Sequence, residues 1–279
     1  MDKNILIVVC HPDDEALWIG GLIHAISMIN NFSVNVICLN GAGSKEASIR
    51  EIEFYKCQKI AGYRRGIVLE GDLKSALTKI ENLEEKIEFG LKEINLQKKD
   101  INLVITHSPY GDEHRHPQHI QCSKELYKIC KKNKIEYGYF SCIPLPNIKH
   151  IPYLKTPKRL NELQALNFSK CKSGFLGNLM RLLNIKPYWY PKYYCQWLVS
   201  KEIKEKMMMS YKSTGLESFK SGYASFNNFT ESLYLDSKKG IKILENILNV
   251  MDTPNGWSDI FISYKMIYIK KKFKKLFSL

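Results

Sequence analysis

The chain has 279 residues, 44% of them hydrophobic and 11% aromatic, with 42 Lys and Arg against 28 Asp and Glu for a formal charge of +14. That length and apolar content support a real core, one elaborated domain or two small ones, and no apolar run is long enough to span a bilayer. The eight cysteines (Cys10, Cys38, Cys57, Cys122, Cys130, Cys142, Cys171 and Cys195) form no C-x-x-C pair, which excludes a zinc ribbon or a thioredoxin-like motif and argues against a disulfide scaffold.

The N-terminus, MDKNILIVVCHPDD, has no leader-like cleavage site and reads as the first strand, Asn4–Cys10, of a cytoplasmic protein. A helix is expected over Ala16–Ile29, then a strand over Ser33–Asn40, a helix over Lys45–Ala61 and a strand over Gly66–Glu70. Helix Glu81–Leu96, strand Asn102–Thr106, helix His116–Lys132 and strand Glu136–Cys142 continue the alternation. The Val/Ile-rich strands read as buried on both faces, as in a parallel sheet. Repeated strand–helix–strand units imply a right-handed, Rossmann-like α/β fold, a mostly parallel sheet flanked by helices.

After about residue 145 the pattern turns irregular, with proline and aromatic residues in PLPNIKHIPYLKTP and NIKPYWYPKYYCQWLVS. Loops and a few short strands covering the site-bearing edge of the sheet are expected there, followed by helices over Lys201–Tyr211 and Ser237–Val250. The division expected is a catalytic core over 1–145 and a C-terminal elaboration over 146–279 that completes the substrate site and ends in a basic tail. That tail, KMIYIKKKFKKLFSL, mixes Met266, Ile267, Ile269, Phe273, Leu276 and Phe277 with lysines. On a helix these partly separate into two faces, a pattern that suits either packing on the core or peripheral contact with a membrane surface.

No G-x-G-x-x-G follows the first strand; His11, Pro12, Asp13, Asp14 and Glu15 stand there instead. Three carboxylates at the mouth of a buried strand cost several kcal/mol unless they are paired or bind a metal. The competing reading is a polar turn in which Asp13 or Asp14 caps the next helix. Hydrolytic zinc sites typically take three protein ligands from His and Asp/Glu and keep one position open. His11 and Asp14, three apart across a proline-stiffened turn, can supply two of them. THSPYGDEHRHPQHIQCS (106–123) holds four of the seven histidines and follows another strand. His116 and His119 are i, i+3 at a helix start, so both can face one site.

These residues resemble a family. HPDDE after an apolar strand, with a later H-P-x-H, is similar to the LmbE-like or PIG-L-type N-deacetylases, zinc-dependent enzymes that remove acetyl groups from N-acetylglucosamine-containing molecules. The resemblance covers residues 4–145, and two further segments are similar to family patterns: SIREIEFYKCQKIAG, giving Arg50 and Glu53, and KEKMMMSYKST, a Lys…Tyr-x-Ser segment. It implies His11, Asp14 and His119 as zinc ligands and Asp13 as general base. His116 would stabilise the oxyanion and protonate the leaving amine. Glu15 would steady a ligand or the loop, and Arg50 would meet the sugar or an anionic group.

Another divalent ion such as Fe2+ suits the same donors. Zinc lowers the pKa of bound water from about 15.7 to about 7, which an amide carbonyl requires. The second motif departs from the common H-P-D-H: Gln118 replaces the acid, and an amide can orient a ring but cannot stabilise imidazolium by charge. Asp112 or Glu113 can compensate, and His114 falls where some relatives carry an aromatic side chain, making it either a substrate-binding candidate or a simply exposed residue. Tyr188, Trp189 and Trp197 are candidate sugar-facing walls, with core roles as the alternative.

The reaction expected is hydrolysis of the N-acetyl group of an N-acetylhexosamine glycoconjugate. The alternative is an amidase cleaving a larger acyl amide of an amino sugar. The partner expected is a small-molecule, lipid-linked or nucleotide-linked amino sugar. A cytoplasmic chain is expected, with contact at the inner membrane surface through the basic tail as the alternative to packing of that tail on the core. A non-enzymatic protein binding nucleic acid or a membrane through its lysines leaves both histidine motifs unexplained, and no nucleic-acid motif supports it.

Overall fold

The computed structural model describes residues 3–42, 45–71, 79–109, 116–140, 151–155, 193–214, 230–235 and 237–250. Strand β1, Lys3–Val9, is followed by α1, Asp14–Ser27; β2, Phe32–Ala42; α2, Lys45–Ala61; β3, Arg65–Glu70; and α3, Leu83–Glu93. A 3-10 turn, Lys98–Asp100, precedes β4, Ile101–Thr106, then α4, Pro117–Asn133, and β5, Glu136–Phe140. The remaining elements are β6, Ile151–Lys155; β7, Tyr193–Leu198; α5, Lys201–Met209; β8, Thr230–Leu235; and α6, Lys238–Val250.

Among the described residues the strands form one eight-stranded sheet, in the order β3-β2-β1-β4-β5-β8-β7-β6. The first five strands are parallel, and β8, β7 and β6 add antiparallel to the β5 side. This is the mostly parallel, helix-flanked α/β architecture that the strand–helix alternation implies. The strand order reverses between β1 and β4, and ligands in open α/β sheets bind beyond the carboxyl ends of strands at such a point.

Strand β1 is apolar throughout because it is covered twice. Ile5, Ile7 and Val9 face one core cluster with Ile19, Leu22 and Ile23 of α1 and Phe54 of α2. Leu6 and Val8 face the other, with Ile87 and Leu91 of α3 and Leu126 of α4. Side chains alternate across a strand, so a run this apolar is stable only with helices on both faces.

Helix α3 is shorter than the expected Glu81–Leu96, because Asn82 (φ 47°) and Asn95 (φ 50°) take left-handed backbone that ends a right-handed helix. The second half also differs from expectation. Its described strands extend the sheet rather than forming a separate cover: β8 pairs with β5, whose backbone groups would otherwise be an open edge. Tyr188, Trp189, Asp112, Glu113, His114 and the basic tail lie outside the described residues, as does the Trp197 side chain. Among the described residues no helix is long and apolar enough to cross a membrane.

Helix α5 is clamped to α1 in the interior. Glu231 of β8 accepts the Gly21 and Leu22 N–H groups of α1 at 2.8 Å each, and Lys204 of α5 donates to the same carboxylate. Lys204 and Glu231 are both about 3% exposed. Gly21 is needed at this contact: a Cβ there would lie 2.2 Å from Val199 Cγ1. Removing one partner of a buried ion pair strands the other charge, so Lys204→Met is expected to cost about 3–5 kcal/mol of unfolding free energy, read from the urea midpoint.

Candidate metal centre and active site

The carboxyl ends of β1 and β4 carry the site. His11 follows β1 by two residues, Asp14 opens α1, His107 follows β4 directly, and His116 and His119 open α4. Pro117 at the first helical position presets the φ of that turn and loses no needed donor, which aims His116 and His119 together. Their rings are 4.6 Å apart and stacked, and the His116 ring meets His11 edge-on, also at 4.6 Å.

Three donor atoms converge. His119 Nε2 is 3.2 Å from His11 Nδ1 and 3.3 Å from Asp14 Oδ2, while His11 Nδ1 is 3.4 Å from Asp14 Oδ2. A tetrahedral ion with bonds of about 2.0–2.1 Å holds its ligands about 3.3–3.4 Å apart, so this near-equilateral triangle has the spacing of three ligands with a fourth position open. The hydrogen bonding agrees. His11 lies 2.7 Å through Nε2 from Gln118 Oε1, an acceptor that also receives Asn40 Nδ2 at 3.4 Å. His11 therefore donates from Nε2, and in the neutral ring Nδ1 presents a lone pair to a carboxylate oxygen. A cation seated among these atoms would relieve the repulsion between the two acceptors. The donors fit a divalent metal.

Gln118 thus orients the ring of His11, a donor of the triangle, whereas the H-P-x-H reading has it orient the His116 ring. Ring nitrogens of metal-binding histidines are commonly fixed by such a partner. Gln118→Ala is accordingly expected to weaken metal binding about 10–100-fold, measured by competition with a chelator.

A second convergence, Cys10, His107 and His119, is less suited to a metal. Burial pushes the Cys10 thiol well above its ordinary range, so it keeps its proton. The Cys10 N–H also donates to His107 Nε2 at 3.0 Å and occupies that nitrogen. His107 is the site residue that sequence reasoning did not single out. It is 2% exposed and stacks on His119 with ring centroids 3.8 Å apart, holding that ring from behind. Its one sequence signal is its place directly after a buried strand.

The two aspartates differ sharply. Burial alone would raise Asp14, but the facing imidazoles, His119 foremost, hold its carboxyl well below the usual range. Burial, and then the Asp14 charge, pushes the Asp13 carboxyl well above its usual range, with Arg50 opposing. Neither caps α1: Asp13 occupies the cap position without a side-chain cap bond, and Asp14 Oδ2 instead accepts the His11 N–H at 2.8 Å.

Asp13 has φ 134°, backbone that costs a non-glycine residue about 1–3 kcal/mol. Glu15 restrains it by accepting the Asp13 N–H at 3.2 Å, and Tyr211, from the end of α5, donates to the same Glu15 carboxyl group. Burial raises Glu15 to about 7. Glu53 of α2 is buried and accepts both the N–H and the hydroxyl of Ser213. Lys204, Tyr211 and Ser213 therefore each engage a buried carboxyl group. Arg50 is half-buried, and its Nε finds no partner among the described residues.

Residues 6–130 match the family model described as PIG-L, GlcNAc-PI de-N-acetylase. This stretch is similar to that family. The stretch holds every donor of the triangle together with Asp13, Glu15, Arg50, Glu53, His107 and His116. The chain is 24% identical over 137 residues to N-acetylglucosaminyl-phosphatidylinositol de-N-acetylase of Saccharomyces cerevisiae, an alignment covering 46% of this chain and 44% of that protein. It is 26% identical over 171 residues to the probable N-acetylglucosaminyl-phosphatidylinositol de-N-acetylase of Schizosaccharomyces pombe, covering 58% and 66%. The chain thus spans 44% and 66% of the length of these curated relatives.

Among solved structures, the deacetylase–bog complex of teicoplanin biosynthesis superimposes with a TM-score of 0.53 at 11% identity, covering 84% of this chain and 97% of that one. The A40926 pseudoaglycone deacetylase Dbv21 gives 0.51 at 12%, with the same coverage. Both agreements concern the fold. The matched stretch holds strands β1 to β4 and helices α1 to α4, while Tyr211 and Ser213 reach its α1 and α2 from outside it.

Proposed function

We propose that the chain is a zinc-dependent N-deacetylase that hydrolyses the acetamide of an N-acetylglucosamine conjugate, releasing acetate and the free amine. The observation that carries this reading is the triangle of His11 Nδ1, Asp14 Oδ2 and His119 Nε2, with edges of 3.2–3.4 Å, beside the strained Asp13 inside the stretch that matches the PIG-L model. The names of the yeast relatives favour a phosphatidylinositol-linked N-acetylglucosamine, and the +14 charge suits such an anionic substrate.

His11, Asp14 and His119 would hold the zinc, which when bound would supply a Lewis acid and a water of pKa near 7. Asp13, a carboxylate beside the triangle, accepts the proton of the attacking water. His116, next to the triangle, donates to the oxygen on which negative charge develops, a contribution of about 3 kcal/mol for one well-placed donor. The same imidazole then hands a proton to the departing amine. Arg50 holds the sugar or its phosphate. Glu15 and Tyr211 keep Asp13 in place through its backbone N–H.

The test is acetate release from N-acetylglucosaminyl-phosphatidylinositol and from simpler N-acetylglucosamine conjugates, with bound zinc measured on the same protein. Release that requires zinc supports the reading. Release of longer acyl chains but not of acetate contradicts it in favour of an amidase.

A further inference from the structure

At the opposite end of the sheet, the amino ends of β1, β2 and β4 frame a cavity of about 650 Å³ that the active site does not use. The length of β1, about 20 Å, separates the two. Ser33 and Asn35 of β2 lie on the same face as Ile37 and Leu39, so they continue the second core cluster beyond the point where α3 stops. Apolar residues would be expected on a strand buried this deeply. Ser33 is 4% exposed and Asn35 2%, yet neither Ser33 Oγ nor Asn35 Nδ2 finds a hydrogen-bond partner among the described residues. Both line the cavity. A buried polar atom without a partner costs about 1–3 kcal/mol, so two of them on residues that line one cavity favour a polar occupant.

The rim gives the sign of that group. Lys3, Arg64 and Lys99 line the cavity, and Asp100 is the one carboxylate among its lining residues. Arg65 also lines it; its Nη1 donates to the Asn95 carbonyl at 3.0 Å, which leaves other guanidinium donors of the fork. Arginine forks and lysines over neutral hydroxyl and amide donors are the chemistry that holds phosphate. The volume lies within the roughly 300–1,000 Å³ range of small-molecule sites, far more than one phosphate fills.

We propose that this cavity binds a phosphorylated small molecule of sugar-phosphate or nucleoside-phosphate size, its phosphate held by the basic rim and its polar body by Asn35 and Ser33. The assignment is independent of the deacetylase reading, since no residue is shared.

Calorimetric titration of the full chain with inorganic phosphate, glucose 1-phosphate and uridine diphosphate tests it. At least one organic phosphate is expected to bind about tenfold or more tightly than inorganic phosphate, and to weaken as salt is raised. Lys99→Glu, at an exposed position, is expected to weaken that binding at least about fivefold, and Asn35→Asp at least about tenfold. His119→Ala, which disables the metal triangle, is expected to leave it unchanged. The proposal is overturned if no probe binds below about 10 mM, if Lys99→Glu binds like the parent chain, or if His119→Ala abolishes binding. Equal affinity for inorganic and organic phosphate would contradict the size assignment.

Discussion

Asp13→Asn is expected to lower kcat about 10²–10⁴-fold while bound zinc and KM stay close to those of the parent chain. The substitution keeps the shape of the side chain and removes its ability to take a proton. Three observations separate this carboxyl group from the metal-binding one beside it. Asp14 faces the imidazoles and is held ionised, whereas burial and the Asp14 charge push Asp13 up. Asp13 makes no cap bond to α1, so its side chain has no local structural task. Its backbone, at φ 134°, is one that a chain keeps only when other contacts enforce it.

A control follows from that strain. Asp13→Gly and Asp13→Ala both abolish proton transfer, but glycine occupies φ 134° freely. Asp13→Gly is therefore expected to be about 1–2 kcal/mol more stable than Asp13→Ala in urea unfolding. Equal stabilities would mean that the backbone is relaxed and that Glu15 and Tyr211 restrain nothing.

The second large effect is on the metal. His119→Ala removes the Nε2 atom that completes the triangle with His11 and Asp14, and is expected to weaken zinc binding more than 100-fold. Bound metal stabilises the folded chain by mass action, so the parent chain should melt higher when zinc is added. The melting temperature of His119→Ala should not respond. A substituted chain that still binds one zinc tightly would instead favour His107 or His116 as the third donor.

The parallel half of the sheet and most of the site were legible in the sequence because both depend on short-range pattern. An apolar run that breaks into His11-Pro12-Asp13-Asp14 announces a strand end with something to hold, and His116 and His119 share a helix face by spacing alone. Contacts across long separations were not legible. Tyr211 meets Glu15 across 196 positions, and nothing local marks that tyrosine as more than a core residue. Lys204 and Glu231 look like two surface charges until β8 and α5 are packed on α1. His107 looked like a strand-end residue, and its role depends on α4 laying His119 over its ring.

The strain at Asp13 was hidden for another reason: φ is set by the whole turn, and an aspartate in that place reads from sequence as a helix cap. Strands β6 to β8 were blurred because proline- and aromatic-rich segments carry little alternation. Their place in the sheet follows from β5 needing a partner, which is a property of the assembled fold.

On the function proposed above, one zinc ion held by His11, Asp14 and His119 drives deacetylation of an N-acetylglucosamine conjugate. The most direct measurement is acetate release from N-acetylglucosaminyl-phosphatidylinositol by protein stripped of metal with a chelator, then titrated with zinc. Negligible release from the stripped protein and full recovery near one zinc per chain are expected. Undiminished release from the stripped protein, or recovery in His119→Ala equal to that of the parent chain, would contradict that function.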